Sequence, residues 1–168
     1  MTSTQPGRRG RPDGPLDPPT RLVSRSSFME SVHRAAALAQ RQQWGVAVLA
    51  LDVDGFHRVN EDLGYEAGDE VLTVVAERLC GSVREHDTTC GPESVTRLGG
   101  DRFLVLCEAV TDAAAAGGVA RRVTDALSAP IVLGGRSVLL TVSIGISFAV
   151  EPTDAQQIVL DAEAALRR

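Results

Sequence analysis

The sequence predicts an α+β domain in which helices pack on a mostly antiparallel sheet. Two observations lead to this prediction. Short apolar runs of strand length alternate with longer segments in which apolar residues recur at helical spacing. Glycine pairs at 99–100 and 134–135 separate consecutive apolar runs, as in β-hairpins. These features predict strands that are joined both by helices and by tight turns.

Composition limits the classes of protein to which the chain can belong. Its 168 residues suit one domain with one core, and 43% hydrophobic residues are typical of a globular protein. A net charge of −5 argues against nucleic-acid binding, which favours a basic face. The three scattered cysteines predict reduced thiols. Because no apolar run approaches the roughly 20 residues that span a bilayer, we expect a cytoplasmic protein without a membrane segment.

The chain divides into a tail and a domain. The first 16 residues are rich in Gly, Pro and Arg and cannot bury enough apolar surface to offset their ordering entropy, so we expect a disordered tail over 1–16 and a single domain over 17–168. Ser27 to Glu30 and Thr153 to Gln156 fit capping boxes that open the first and last helices. The predicted elements are a helix over 27–43, a strand over 46–51, a helix over 68–82, a hairpin over 96–107, a helix over 112–127, a hairpin over 131–140, a strand over 142–146 and a helix over 154–168.

The central elements follow the order β-α-β-β-α-β, which is the ferredoxin-like arrangement and places the first strand beside the central hairpin. An Asp-Val-Asp run at 52–54 directly follows that strand, and a Gly-Gly-Asp run at 99–101 occupies the hairpin tip. Each run alone fits ordinary turn chemistry. Together, Asp52 and Asp101 predict a Mg²⁺ site, because Mg²⁺ prefers oxygen ligands. Such an ion would neutralise a triphosphate and activate a hydroxyl nucleophile.

Several motifs resemble one family. Residues 52–69 are similar to the pattern D-x-D-x-F-K-x-x-N-D-x-x-G-H-x-x-G-D of the GGDEF family, the bacterial diguanylate cyclases. Residues 97–103 resemble its R-x-G-G-D-E-F signature. Residues 17–22 and 142–146 resemble its D-x-L-T-G-L and T-x-S-I-G-V motifs. The chain is identified as a member of this family over about residues 17–168.

The resemblance implies a site for GTP, since the family condenses two GTP molecules into cyclic di-GMP across a symmetric pair of domains. By position, Asp52, the Val53 carbonyl and Asp101 match the metal ligands, and Asp101 also matches the catalytic base. Asn60 and Asp69 match the guanine-reading residues. A carboxylate accepts hydrogen bonds from guanine N1–H and N2–H, and an amide donates one to O6. The substrate-binding residues implied by the match are Asn60, Asp69, Phe56, His57, Gly99 and Gly100.

A second nucleotide site is also implied by the resemblance. Arg84 and Asp87 have the R-x-x-D form of the family's product-inhibition site. However, residues 90–94 look like an insertion before Arg97 and break the usual register. A solvated helix end is the alternative interpretation of the same residues.

The departures from the family concern phosphate and metal. Arg102 replaces the second acidic residue of the signature, a change of two charge units. At about 4 Å and an effective dielectric of about 20, each unit-charge pair contributes roughly 4 kcal/mol, so a second divalent ion is disfavoured. His57 replaces a Lys near the phosphates, and Tyr65 replaces a His. The sequence ends at Arg168, within the helix that resembles the family's last one, and has no counterpart of the later Lys and Arg that contact phosphate in the family. The alternative is that Arg102 faces solvent or pairs with a nearby acidic residue and does not act on the metal site.

Three functions fit these residues. The first is a degenerate GGDEF domain that binds GTP or cyclic di-GMP as a regulatory module. The second is a slow diguanylate cyclase, which would need a homodimer or a protein partner to bring two sites together. The third is an interaction module with an empty cleft. Asn60 and Asp69 argue against the third function and Arg102 against the second, so the sequence favours nucleotide binding over turnover.

Overall fold

The computed structural model describes residues 16–84, 93–150 and 154–168. Most of the predicted tail lies outside them. The helices and strands in chain order are α1 (Arg25–Gln42), β1 (Gly45–Asp54), α2 (Phe56–Leu63), α3 (Tyr65–Arg84), β2 (Val95–Gly99), β3 (Arg102–Val110), α4 (Ala113–Ser128), β4 (Ile131–Leu133), β5 (Arg136–Val138), β6 (Thr141–Ala149) and α5 (Ala155–Leu166).

The main sheet has four strands in the order β2-β3-β1-β6, and each neighbouring pair is antiparallel. With α3 between β1 and β2 and α4 between β3 and β6, this is the βαββαβ arrangement, and the predicted fold class is confirmed. Strand β1 lies inside the sheet and is buried on both faces from 45 to 51. Burial on both faces explains why its sequence is a continuous apolar run rather than an alternating one.

The two faces of β1 belong to different halves of the core. Its odd-numbered residues from 47 to 53 pack beneath α2, α3 and α4, whereas the even-numbered residues from 46 to 50 pack against α1 and α5. Successive side chains of a strand point to opposite faces. Asp52 and Asp54 therefore continue the α1/α5 face at the end of β1, while Val53 remains in the core on the other face.

The helical segment after β1 differs from the prediction. One helix was expected over 68–82, but the structure has α2 over 56–63 and a longer α3 over 65–84. Gly64 separates them with a φ of 87°, which is outside the helical region and favours glycine. Helix α2 buries only Phe56 and Val59, so its apolar pattern in the sequence is short.

The cap of α1 also differs from the prediction. The N-cap is Ser24, whose side chain accepts a hydrogen bond from the Ser27 N–H at 3.3 Å, so the capping box at Ser27 is wrong. In the last helix the N-cap is Asp154, which accepts from the Gln156 N–H at 3.2 Å. Thr153 of the predicted box lies outside the described residues.

The second hairpin forms a separate two-stranded sheet of β4 and β5. Its second strand was expected over 138–140 but spans Arg136–Val138. The turn at Gly134 and Gly135, with φ values of 53° and 80°, needs only these two residues, so the strand resumes earlier. Within the part of the chain that the structure describes, no helix is long and apolar enough to cross a membrane.

Candidate functional site

The end of β1 and the tip of the β2–β3 hairpin meet at one edge of the sheet. Asp52 is the register partner of Arg102 on β3 and of Ser143 on β6. The Val53 N–H donates to the backbone carbonyl of Asp101 at 3.1 Å, which fixes the hairpin tip against β1. The structure thus brings Asp52 and Asp101 together, as the sequence predicted. Their role as metal ligands stays a prediction.

The carboxyl of Asp52 has a raised pKa. Burial raises the pKa of its carboxyl above the usual value, and the charges of Asp101 and Asp54 raise it further. Arg102 acts in the opposite direction but does not cancel these effects. The carboxyl of Asp52 is therefore harder to ionise than that of an ordinary aspartate.

Asp54 has a different environment from Asp52. Its Oδ2 accepts a hydrogen bond from Thr141 Oγ1 at 2.7 Å, and its Oδ1 accepts one from Ser143 Oγ at 2.8 Å. Both donors lie on β6, the strand paired with β1. These bonds fix the orientation of the carboxylate. Asp54 therefore ties β1 to β6 at the rim of the site.

Arg97 holds the signature turn in place. Its Nε donates to the Gly100 carbonyl at 2.8 Å, and its guanidinium pairs with Asp17 at 3.2 Å. Asp17 in turn accepts from Thr20 Oγ1 at 2.6 Å. Gly99 and Gly100 have φ values of 119° and 59°, conformations that glycine adopts at low cost. The segment of residues 17–22 and the hairpin tip are thus held together by hydrogen bonds and an ion pair beside Asp101.

The predicted guanine-reading residues lie on two neighbouring helices. Asn60 is on α2, and its side chain lies against Gly68 of α3, where an added Cβ would overlap Asn60 Oδ1. Asp69 follows directly and is exposed. Phe56 belongs to the core, so its contribution is packing, whereas His57 on the same helix is exposed. Asn60 and Asp69 are therefore close to the α2–α3 junction.

A cavity of about 250 Å³ opens between the strand ends and α5. Two side chains that sequence reasoning missed, Glu163 and Arg167, come from α5. Their spacing of one helical turn was the available signal, but their place at the cavity depends on how α5 packs. The charged and polar side chains that line the cavity are Asp52, Asp54, Arg102, Ser143, Glu163 and Arg167.

The predicted metal and inhibitory sites have different outcomes. Within the described residues, no group of three or more His, Cys, Asp or Glu side chains is arranged as a metal cage. A cation on Asp52, Asp101 and the Val53 carbonyl would therefore need water or phosphate oxygens to complete its shell. Arg84 ends α3, but Asp87 lies outside the described residues, so the product-inhibition site stays a prediction.

The antiparallel βαββαβ sheet, with carboxylates where β1 meets the central hairpin, defines a nucleotidyl cyclase-like domain. A sequence model of the family described as "Diguanylate cyclase, GGDEF domain" matches residues 15–168. The chain belongs to the GGDEF domain family.

Known relatives act in cyclic di-GMP signalling. The diguanylate cyclase TpbB of Pseudomonas aeruginosa is 36% identical over 149 residues, which cover 88% of this chain and 33% of TpbB. The cyclic di-GMP phosphodiesterase NbdA of the same species is 33% identical over 138 residues, 82% of this chain and 16% of NbdA. A solved structure of an N-terminally shortened TpbB that comprises only the GGDEF domain has a TM-score of 0.81 and 35% identity, covering 90% of this chain and 86% of that one. This chain thus spans a third or less of the length of these curated relatives.

Proposed function

We propose that this GGDEF domain binds a guanine nucleotide, GTP or cyclic di-GMP, as a regulatory module with little or no turnover. The observation that carries the proposal is the position of Arg102. It replaces the signature carboxylate, pairs in register with Asp52 and lines the same cavity. A guanidinium there repels the divalent ions on which phosphoryl transfer depends.

The base-reading residues support nucleotide binding. Asn60 and Asp69 have the hydrogen-bonding groups that guanine requires, one to donate to O6 and one to accept from N1–H and N2–H. They lie where α2 and α3 meet, and Gly68 leaves room for the Asn60 side chain. A polar site of this kind rejects bases with a different edge, so GTP should bind better than ATP.

The predicted catalytic residues are consistent with little or no turnover. Asp52, the Val53 carbonyl and Asp101 would hold one Mg²⁺, which would neutralise phosphate charge when bound. His57 is a weaker anion partner than a lysine when its imidazole is neutral. Transition-state stabilisation should therefore fall because both a carboxylate and a cation of the family pattern are replaced.

A slow diguanylate cyclase is the second candidate. The contact between β1 and the hairpin tip favours it, because Asp52 and Asp101 remain adjacent. The relative TpbB is a diguanylate cyclase. Condensing two GTP molecules needs two domains facing each other, so this function requires a homodimer or a partner that pairs the domains.

The deciding experiment uses the purified domain with GTP and Mg²⁺. Cyclic di-GMP is measured by chromatography, and binding of GTP, ATP and cyclic di-GMP is measured by calorimetry. We expect guanine-selective binding and little or no cyclic di-GMP. Rapid synthesis would refute the regulatory proposal, whereas equal binding of GTP and ATP would refute the guanine-reading site.

Asp69→Ala tests the guanine-reading site directly. The substitution removes the carboxylate that accepts from N1–H and N2–H, and we expect it to abolish most of the GTP preference over ATP. Glu70→Ala is the matched control, because Glu70 is the next exposed carboxylate on α3. If both variants keep the preference, Asp69 does not read the base.

A further inference from the structure

The two outer strands of the main sheet, β2 and β6, have different edges. Strand β2 has five residues, and its outer edge forms a bridge with Val23, whose carbonyl also accepts a hydrogen bond from Thr96 Oγ1 at 2.7 Å. Strand β6 has nine residues, and among the residues that the structure describes only β1 pairs with it. The outer edge of β6 is therefore open to pairing within this part of the chain.

The hydrogen bonds of β1 show which residues of β6 face that open edge. The Val53 N–H donates to the Asp101 carbonyl at 3.1 Å, so Val53 directs its backbone groups toward the β2–β3 hairpin. Because this direction alternates along an antiparallel strand, the even-numbered residues of β1 bond to β6. Their register partners are the odd-numbered residues of β6. The even-numbered residues of β6 therefore direct their N–H and C=O groups outward, and they are Val142, Ile144, Ile146 and Phe148.

The same four residues expose apolar surface. Their side chains share a face of the sheet with the odd-numbered residues of β1 from 47 to 53, which are at most 1% exposed, yet they are only half-buried. Natural edge strands are protected from further pairing by lysine, proline, a bulge or short length. Strand β6 has no charged residue, no proline and an unbroken register with β1. Its edge is thus suited to accept another strand.

We propose that β6 pairs in antiparallel orientation with β6 of a second copy of this chain, centred on Gly145, so that the two four-stranded sheets become continuous. In this register Ile144 faces Ile146 of the partner subunit, and Val142 faces Phe148 of the partner subunit. A register centred one residue to either side leaves one of the four outward residues unpaired on each strand. Each facing pair exchanges two hydrogen bonds, and facing β-branched and aromatic side chains add stability.

The absence of charge on β6 favours a second copy over a different protein. An uncharged strand pairs with its own copy without opposing like charges, and it offers no charge pattern that would select another sequence. Strand addition alone buries a small area, so the dimer should dissociate on dilution. The inference rests on the strand edge and is independent of the proposed nucleotide binding.

This pairing keeps the two candidate sites apart. Asp52 and Asp54 are the register partners of Ser143 and Thr141, so the site lies at the N-terminal end of β6. The partner's site then lies at the opposite end of the paired strands, roughly 27 Å away at about 3.4 Å per residue. Two sites in these positions do not face each other, which agrees with a binding module rather than with a cyclase.

The first test measures amide hydrogen exchange by NMR in dilute and concentrated samples of the wild type. The amides of Ser143, Gly145 and Ser147 bond to β1, so their exchange should be slow in both samples. The amides of Ile144 and Ile146 are bonded only in the dimer, so their exchange should slow about tenfold when about nine tenths of the protein is dimeric. Exchange of these two amides that does not depend on concentration would overturn the pairing.

The second test compares Ile146→Pro with Ile146→Ala by sedimentation velocity over a concentration series. Both variants lose most of the apolar side chain, but only proline removes the outward N–H, and an edge strand tolerates proline where the N–H faces outward. Thermal unfolding checks that each variant is folded. We expect the wild type and Ile146→Ala to shift from monomer to dimer with concentration and Ile146→Pro to remain monomeric. A wild type that is monomeric at every concentration, or equal dimerisation of the two variants, would overturn the proposal.

Discussion

Gly68→Ala is a sharp test of how the guanine site is built. An added Cβ at this position would overlap Asn60 Oδ1 and lie 3.3 Å from the Phe56 ring. The ring is buried in the core, so the Asn60 side chain has to turn away. In the proposed binding mode, the turned amide would no longer donate to guanine O6. One substitution on α3 should thus remove a hydrogen bond made by a residue on α2.

The magnitude follows from that single bond. A hydrogen bond of this type has a net value of about 1 kcal/mol, which corresponds to about a fivefold change in affinity. We therefore expect Gly68→Ala to lower the GTP-to-ATP affinity ratio about fivefold. Helix α3 itself should be preserved, because alanine is a better helix former than glycine by up to about 1 kcal/mol.

The assay pairs calorimetric binding of GTP and ATP with thermal unfolding. Gly81→Ala is the matched control, since Gly81 lies on the same helix and an added Cβ there meets nothing within 4 Å. It should leave the affinity ratio unchanged and raise the melting temperature. If Gly68→Ala keeps the wild-type ratio, or if both variants lose it equally, the reasoning from the Gly68–Asn60 contact is refuted.

Three further predictions concern the edge of the sheet and the segment of residues 17–22. Arg102→Glu should make GTP affinity more steeply dependent on Mg²⁺; identical Mg²⁺ titrations of the two proteins would place Arg102 outside the site. The pKa of Asp52 is raised in the folded state, so stability should fall as pH rises through the window above the usual value of 3.8. In metal-free buffer Asp52→Asn should therefore unfold at higher temperature than the wild type at pH 7 and at the same temperature below that window; equal melting temperatures at both pH values would contradict this. Arg21 has a φ of 57°, so Arg21→Gly should raise the melting temperature by relieving strain of about 1 kcal/mol, whereas Arg21→Ala, which keeps the strain, should not.

The sequence predicts best those features that depend on local pattern. Burial of β1 on both faces makes its residues from 46 to 51 uniformly apolar, and the glycine pairs mark the two hairpins, although the first turn lies at Gly100 and Asp101 because Gly99 still belongs to β2. Helix α2 was missed because it buries two side chains and its N-cap, Gly55, makes no side-chain hydrogen bond. The N-cap of α1 was misplaced by three residues because Ser24 and Ser27 are both suitable caps.

The candidate site shows the same division. Asp52 and Asp101 follow a strand and a hairpin tip, so their approach can be predicted from the order of elements. Arg167 has no such signal, because its place depends on the packing of α5 against Gly145. The overlap of Gly68 with Asn60 is likewise a contact between two helices. Features that arise from packing between elements cannot be derived from the pattern within one element.

Asp52 and Asp54 lie two residues apart on one face of β1, yet hydrogen bonds within the fold stabilise the charge of Asp54 alone, and the charge of Asp52 is disfavoured. Both oxygens of Asp54 accept hydrogen bonds from β6, so its charge is stabilised within the fold. The pKa of Asp52 is raised, which means that its ionised form is disfavoured by burial and by its acidic neighbours. An ionised group that opposes folding is typical of functional sites. The carboxylate at position 52 therefore lowers the stability of the fold when it is ionised, and its role as a metal ligand stays a prediction.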